Sequence, residues 1–258
     1  MNKLINFILL IVLLTSCAKK DAYLEEDLSP RFEKAMKLFN KSKYSRAKDE
    51  FDYIIMADPG SKIANESQYY MAESMFQLDE YSEASTIFDR YVRFSSNYSQ
   101  IEIARYRICE CAINLSNPYQ RDQSHTHDAL EQLQMFIEDF PGSERINDAE
   151  EAIKSLRLKL ARKDYESGRM YLKLEEYESA LVYFQSVLNH YYDISFADDA
   201  RIGIIFTHIL NENRKGAQSY FNSQEGRFLS EYKYKEAETL LHDTETGLKL
   251  AQYYQLYR

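Results

Sequence analysis

Asp122, His125, His127 and Asp128 lie within one short stretch of the chain, and their side chains are of the types that ligate metals. The stretch is polar and its spacing fixes no coordination geometry, so no metal is expected there. The other histidines, His190, His208 and His242, are scattered. No serine, cysteine or histidine stands in an arrangement that would make it a nucleophile. Cys109 and Cys111 are two residues apart, which on a helix turns their side chains about 200° from one another. A disulfide between them is not expected, and the pair alone is too small a ligand set for a metal. They read as small buried apolar residues. No catalytic residue and no cofactor is expected. One reactive position remains: Cys17, which follows the apolar run Leu4 to Leu14 and then Thr15-Ser16.

Lys3, the apolar run and the small residues before Cys17 follow the plan of a secretory signal. With cysteine where cleavage falls, the segment resembles a bacterial lipoprotein signal. That resemblance implies removal of residues 1–16 and acyl chains on Cys17 as the first mature residue. The run of about 11 residues is too short to span about 30 Å of hydrocarbon at about 1.5 Å per residue. Ala18, where an aspartate would resemble an inner-membrane retention signal, favours the outer membrane. Several acyl chains anchor stably where one would be marginal. Residues 17–30 are largely polar and charged and read as a lipidated tether.

The chain has 258 residues, 32 basic and 41 acidic side chains, and a formal charge of −9. Loss of the signal takes Lys3 with it and leaves 242 residues at −10. Nucleic acid, whose phosphates demand clustered Lys and Arg, is not expected as a partner. Seven glycines and four prolines provide no phosphate-cradling loop, and their scarcity points to helices throughout. Twenty-two tyrosines and no tryptophan mark surfaces that are half apolar and half wet, such as grooves and helix seams.

One phrase recurs: an aromatic residue, two residues, Ala, three residues, an aromatic. It reads Tyr44-x-x-Ala47-x-x-x-Phe51, then Tyr81-x-x-Ala84-x-x-x-Phe88, then Tyr177-x-x-Ala180-x-x-x-Phe184. Ala129 with Leu133 and Ala217 with Phe221 are looser copies. The alanines are separated by 37, 45, 51 and 37 residues, near a 34-residue helix–turn–helix unit with insertions. Pro59-Gly60-Ser61 and Pro141-Gly142-Ser143 follow two of the second helices; proline stops a helix, glycine permits the turn, and the serine can cap the next helix. Tyr165-x-x-Gly168-x-x-Tyr171 precedes Ala180 at the distance of a first helix. The pattern resembles the tetratricopeptide repeat. The expected fold is all-α, a tetratricopeptide-repeat solenoid of about five helix–turn–helix units over residues 31–258. N-terminal units cover 31–115, C-terminal units 125–225, and a capping helical tail 226–258 closes the open end. Ser116 to Thr126 reads as an insertion between the two helices of the third unit. Ser143 to Leu174 reads as one long or gently broken helix across the third-to-fourth junction.

Three further segments narrow the family: Arg121-Asp122 in the inserted loop, Phe140-Pro141-Gly142-Ser143, and Leu160-Ala161-Arg162-Lys163-Asp164-Tyr165-Glu166-Ser167. With the anchor and five degenerate repeats, the chain resembles the BamD (ComL) family of outer-membrane β-barrel assembly lipoproteins. Phe140 stands where the family usually has tyrosine and Gly142 where it has asparagine. The resemblance implies a scaffold rather than an enzyme, lipid-anchored on the periplasmic face of the outer membrane. Its implied partners are the POTRA domains of BamA, other assembly-complex lipoproteins, and unfolded outer-membrane β-barrel proteins with an aromatic-ended C-terminal signal. The alternative is another periplasmic tetratricopeptide lipoprotein that acts as an adaptor for cell-wall or division proteins. The inserted loop and the five-unit length favour the first.

First helices of such repeats line a concave face. The register set by Ala47 places Phe32, Met36 and Phe39 there, and that set by Ala84 places Tyr69, Glu73 and Phe76 beside them. These six residues are the expected client-peptide groove, with Phe32 and Tyr69 the most exposed, because Leu38, Phe51, Met75 and Phe88 already fill the repeat's core. In the fourth unit the equivalent stripe is Arg162, Tyr165, Arg169 and Lys173, a basic face in an acidic protein that could meet acidic partner residues.

Overall fold

The computed structural model describes residues 27–243. The expected signal 1–16, the lipidation site Cys17 and the part of the expected capping tail from residue 244 onward lie outside the described residues. Eleven α-helices follow one another among the described residues. They are α1 (Ser29–Phe39), α2 (Tyr44–Ala57), α3 (Lys62–Phe76), α4 (Tyr81–Phe94), α5 (Tyr98–Leu115) and α6 (Ser124–Asp139). Then come α7 (Ile146–Lys173), α8 (Tyr177–His190), α9 (Phe196–Leu210), α10 (Arg214–Ser223) and α11 (Glu231–Asp243). Each helix packs on the next; α1–α2, α3–α4, α5–α6, α7–α8 and α9–α10 are the five hairpins, and α11 closes on α9 and α10.

The recurring phrase is the second helix of each hairpin. Ala47, Ala84, Ala129, Ala180 and Ala217 are all fully buried, as are Phe51, Phe88, Leu133 and Phe184, and Phe221 is nearly so. The alanine lets two helices approach, and the ring four residues on fills the space between neighbouring hairpins. The turn before four of the five phrases is also repeated, the third phrase following the inserted loop. Ser42, Asp79, Glu175 and Glu212 take positive φ, each two residues before its second helix. One residue later an N–H reaches back five residues: Lys43 to Leu38 O, Glu80 to Met75 O, Glu176 to Tyr171 O and Asn213 to His208 O, at 2.8–3.0 Å. That six-to-one bond with a left-handed residue satisfies the last carbonyls of the first helix.

Three boundaries differ from the sequence reading. The expected tether ends earlier: Leu28 is buried, α1 starts at Ser29, and Pro30 opens the helix instead of belonging to a linker. The insertion ends at Gln123, because the Asp122 carboxylate accepts the Ser124 N–H at 2.9 Å and starts α6 there. Ser61 caps α3 through the Ala64 N–H, but Ser143 caps nothing. Its hydroxyl donates to Glu102 and accepts from the Arg145 N–H, so it ties the turn before α7 to α5.

α7 runs unbroken for 28 residues, about 42 Å at 1.5 Å per residue. Its N-terminal half places Ala149 and Leu156 in the core of the middle units, and its C-terminal half places Leu172 in the core of the last ones. α9 is buried along nearly its whole length. It is apolar all round because α7, α8, α10 and α11 all pack on it.

Cys111 packs in the N-terminal core and Cys109 in the middle one, so the two thiols face different units. The Cys109 thiol donates to the Gln132 carbonyl at 3.3 Å. Burial pushes both thiols up to about 12. Below the ordinary thiol range both folded and unfolded chains hold these protons. From about pH 9 to 12 the unfolded chain gives them up while the folded one keeps them, so stability falls as pH rises through that window. In protein lacking Cys17, both thiols are expected to resist a water-soluble disulfide reagent at pH 8 and to react after denaturation. Fast reaction of the native protein would contradict the burial.

Candidate functional site

The first helices of units one to three meet along one face. There Phe39 of α1, Tyr69, Tyr70 and Glu73 of α3, and Asn97, Ser99, Gln100 and Ile103 at the start of α5 line a concavity of about 440 Å³. Its floor is a chain of rings. The Tyr69 ring lies 5.3 Å from Tyr70, 5.9 Å from Phe88 and 5.4 Å from Tyr91, centroid to centroid. Tyr70 stacks on Phe51 at 5.8 Å and meets Phe39 edge-on at 5.5 Å. These rings are held by core aromatics on one side and face the concavity on the other.

Glu73 is only 6 % exposed. Its carboxylate accepts from Arg107 Nε of α5 at 2.8 Å, and a second nitrogen of that guanidinium donates to Glu110 at 2.8 Å. Arg107 also lies 4.9 Å over the Phe76 ring. Burial, then the Glu73 carboxylate, holds the Tyr69 phenol above its ordinary range. The pair fixes α3 against α5 and sets the position of Tyr69.

Of the six expected groove residues, the concavity contains Phe39, Tyr69 and Glu73. Phe32 is instead packed between Phe51 at 5.8 Å and Tyr70 at 6.2 Å, with Met36 against the same core. Phe76 packs on Tyr81 at 5.3 Å, as Phe39 does on Tyr44 at 5.4 Å. In the first two units the tyrosine that opens the phrase thus covers the ring that ends the first helix. Phe32 and Tyr69 are half-buried, as are Met36, Phe39 and Phe76, because the helix packing draws these side chains against the core. Sequence reasoning missed Tyr70 and the whole α5 contribution. The register of the third unit, set by Ala129, was the available signal for α5.

The expected basic face divides along α7. Arg162 is exposed and lies 4.3 Å over the Tyr119 ring of the inserted loop. Tyr165 turns inward onto Phe184 at 5.8 Å and Phe196 at 5.2 Å. Arg169 is half-buried and paired with Glu166 at 3.0 Å, and Lys173 is exposed at the helix end. The stripe is not a bare basic surface, since an i, i+3 carboxylate offsets Arg169 and the ring belongs to the core.

The inserted loop is itself built. Gln123 is buried, and its Nε2 donates to the carbonyls of Pro118, Arg121 and Asp122 at 2.9, 3.0 and 3.2 Å. Its Oε1 accepts from Thr126 at 2.7 Å. Lys159 reaches the Ser116 hydroxyl at 2.8 Å and Lys163 the Arg121 carbonyl at 2.7 Å, so α7 holds the loop at both ends. His125 approaches Asp128 at 3.4 Å on the exposed first turn of α6. Between α8 and α9 a second concavity of about 520 Å³ is lined by Leu181, Val182, Ile204, His208 and Tyr220 among others.

A family model described as an outer membrane lipoprotein, YfiO, matches residues 25–225. The outer membrane protein assembly factor BamD of Rickettsia prowazekii is 24 % identical over 194 residues, 74 % of this chain and 77 % of that one. The protein of the same name from Caulobacter vibrioides is 24 % identical over 217 residues, 82 % of this chain and 69 % of that one. Among solved structures, the tetratricopeptide domain of P58(IPK) is 13 % identical, with a TM-score of 0.44, over 86 % of this chain and 67 % of the other. YrrB, a tetratricopeptide protein with a peptide-binding site, is 18 % identical, with a TM-score of 0.34, over 84 % and 94 %.

Proposed function

Because the chain belongs to the YfiO family of outer membrane lipoproteins, we propose that it is a scaffold that holds unfolded β-barrel proteins beside the machinery that inserts them. At the coarser level it is a non-enzymatic outer-membrane assembly factor of the BamD kind. The finer reading gives it two contacts. The POTRA domains of a BamA-type barrel protein bind the repeats, with other assembly lipoproteins alongside. Client chains bind the concave face of the first three units through their aromatic-ended signals.

The observation that carries the second contact is the row of rings from Phe39 to Tyr69, half-buried and open on one side. A ring or aliphatic side chain laid there buries large area at little rotamer cost. Gln100 and the tyrosine hydroxyls offer hydrogen bonds to an extended backbone.

Ser99 sits exposed on the rim, so Ser99→Trp fills the concavity without touching the core. Affinity for a labelled aromatic-ended client peptide is expected to fall about tenfold or more, with the thermal midpoint unchanged; tenfold is about 1.4 kcal/mol. Unchanged affinity in fluorescence anisotropy would place the client elsewhere. For the first contact, the lipidated protein tagged at its C-terminus is purified from solubilised outer membranes. Near-equal recovery of a POTRA-bearing barrel protein supports the reading, and recovery of cell-wall or division proteins in its place overturns it.

A further inference from the structure

Resting on the groove reading above, we infer that the concavity recognises an extended aromatic segment by its side chains and backbone, and gives no seat to a terminal carboxylate. An aromatic-ended client brings two handles: its last rings and its free carboxyl group. A site that reads the carboxyl group needs a cation or converging N–H donors.

Among the described residues no lysine or arginine lines the concavity. Arg107, whose guanidinium contacts the lining residue Glu73, is turned onto Glu73 and Glu110, so the cluster of three carries a net negative charge. Glu73 itself is the charged group in the lining. A carboxylate arriving beside it meets a like charge in a partly desolvated site. At the start of α5 the side chain facing the concavity is the neutral Asn97, whose Oδ1 takes up the Gln100 N–H, one of the first N–H groups of that helix. The Glu73 carboxylate accepts hydrogen bonds, so this face is suited to ligands that donate. Peptide N–H groups donate; a carboxylate cannot.

The occupant is therefore a neutral or cationic aromatic segment. It is bound alike at a chain end and inside a chain, so clients can be held before or after their last residue is free.

The test compares two synthetic peptides of one aromatic-ended client sequence, one with a free carboxyl terminus and one with a carboxamide. Competition anisotropy is run on the lipidated protein in detergent and on its Ser99→Trp variant. The carboxamide is expected to bind as tightly as the acid within threefold, or more tightly, and both are expected to lose about tenfold on Ser99→Trp. Binding of the acid more than threefold tighter than the amide overturns the inference and leaves the groove reading standing. Failure of both peptides to bind, or binding that survives Ser99→Trp, overturns the groove reading and this inference with it.

Discussion

Gly203→Val is expected to destabilise the C-terminal units by about 3 kcal/mol, the upper part of the range for overpacking a filled core. The Phe184 ring is fully buried between α7 and α9. A Cβ at Gly203 would stand 2.8 Å from two ring carbons and 2.9 Å from a third. From α7, a Cβ at Gly168 would stand 2.8 Å from two carbons of the same ring. The fully buried ring is thus approached closely by two glycines, one from α7 and one from α9. Alanine at 203 is the weaker test, because helix propensity returns about 1 kcal/mol of the overpacking cost. Valine returns less and adds two methyl groups where no space exists. At about 2–4 °C per kcal/mol for a chain of this length, the thermal midpoint should drop by roughly 6–12 °C. A shift under about 2 °C would mean that the ring or a helix moves aside, and that the close approach is not the source of the packing.

That close approach was half visible in the sequence. Gly168 falls in Tyr165-x-x-Gly168-x-x-Tyr171, the small-residue position of a first helix, and Phe184 closes the recurring phrase. Gly203 carries no such flag, since it sits in a run of isoleucines whose burial on all sides erases periodicity. The same contrast runs through the molecule. Positions fixed by close helix approach, such as Ala47 and Phe51, recur at set spacing and can be read. The hairpin turns could not be read, because Ser42, Asp79, Glu175 and Glu212 share a backbone angle and not a residue type. Glycine would have signalled it; a serine, an aspartate and two glutamates do not. The groove was read from two units when three build it. The third was obscured by the inserted loop, whose order depends on one buried amide, Gln123, in a stretch that looks like any polar linker. Phe32 and Phe76 were misplaced for a simpler reason. Helical spacing gives a face, and whether a ring on that face meets solvent or a neighbour depends on crossing geometry that spacing does not contain.

Asp198→Ala is expected to cost about 3–5 kcal/mol, because it leaves a buried guanidinium without its partner. Asp198 is 2 % exposed and Arg201 6 %. The carboxylate pairs with Arg201 at 2.8 Å and also accepts the N–H groups of Leu229 and Ser230 at 3.0 and 2.9 Å. Arg201 continues to Gln224 at 3.3 Å and lies 5.6 Å over the Phe228 ring. One side chain at the start of α9 therefore fastens the loop that delivers α11. Lys233 of α11 adds a partly exposed bridge to Asp199 at 2.9 Å, worth far less than the buried cluster. Removing the carboxylate strands one charge and two backbone donors together, and the damage should concentrate where they sit. Hydrogen exchange is expected to speed first at Leu229 and Ser230 and then along α11, while α1 to α4 keep their protection. Freed of its cap, α9 would present apolar surface at the open end of the solenoid. The double variant Asp198→Ala with Arg201→Met separates the causes. If the stranded charge dominates, the double variant should be more stable than the single one; if the loop's N–H groups dominate, it should not recover. Unchanged protection at Leu229 and Ser230 in the single variant would show that α11 is held by its apolar contacts, Ala237 and Leu240 in the core, and that the buried cluster is incidental to the cap.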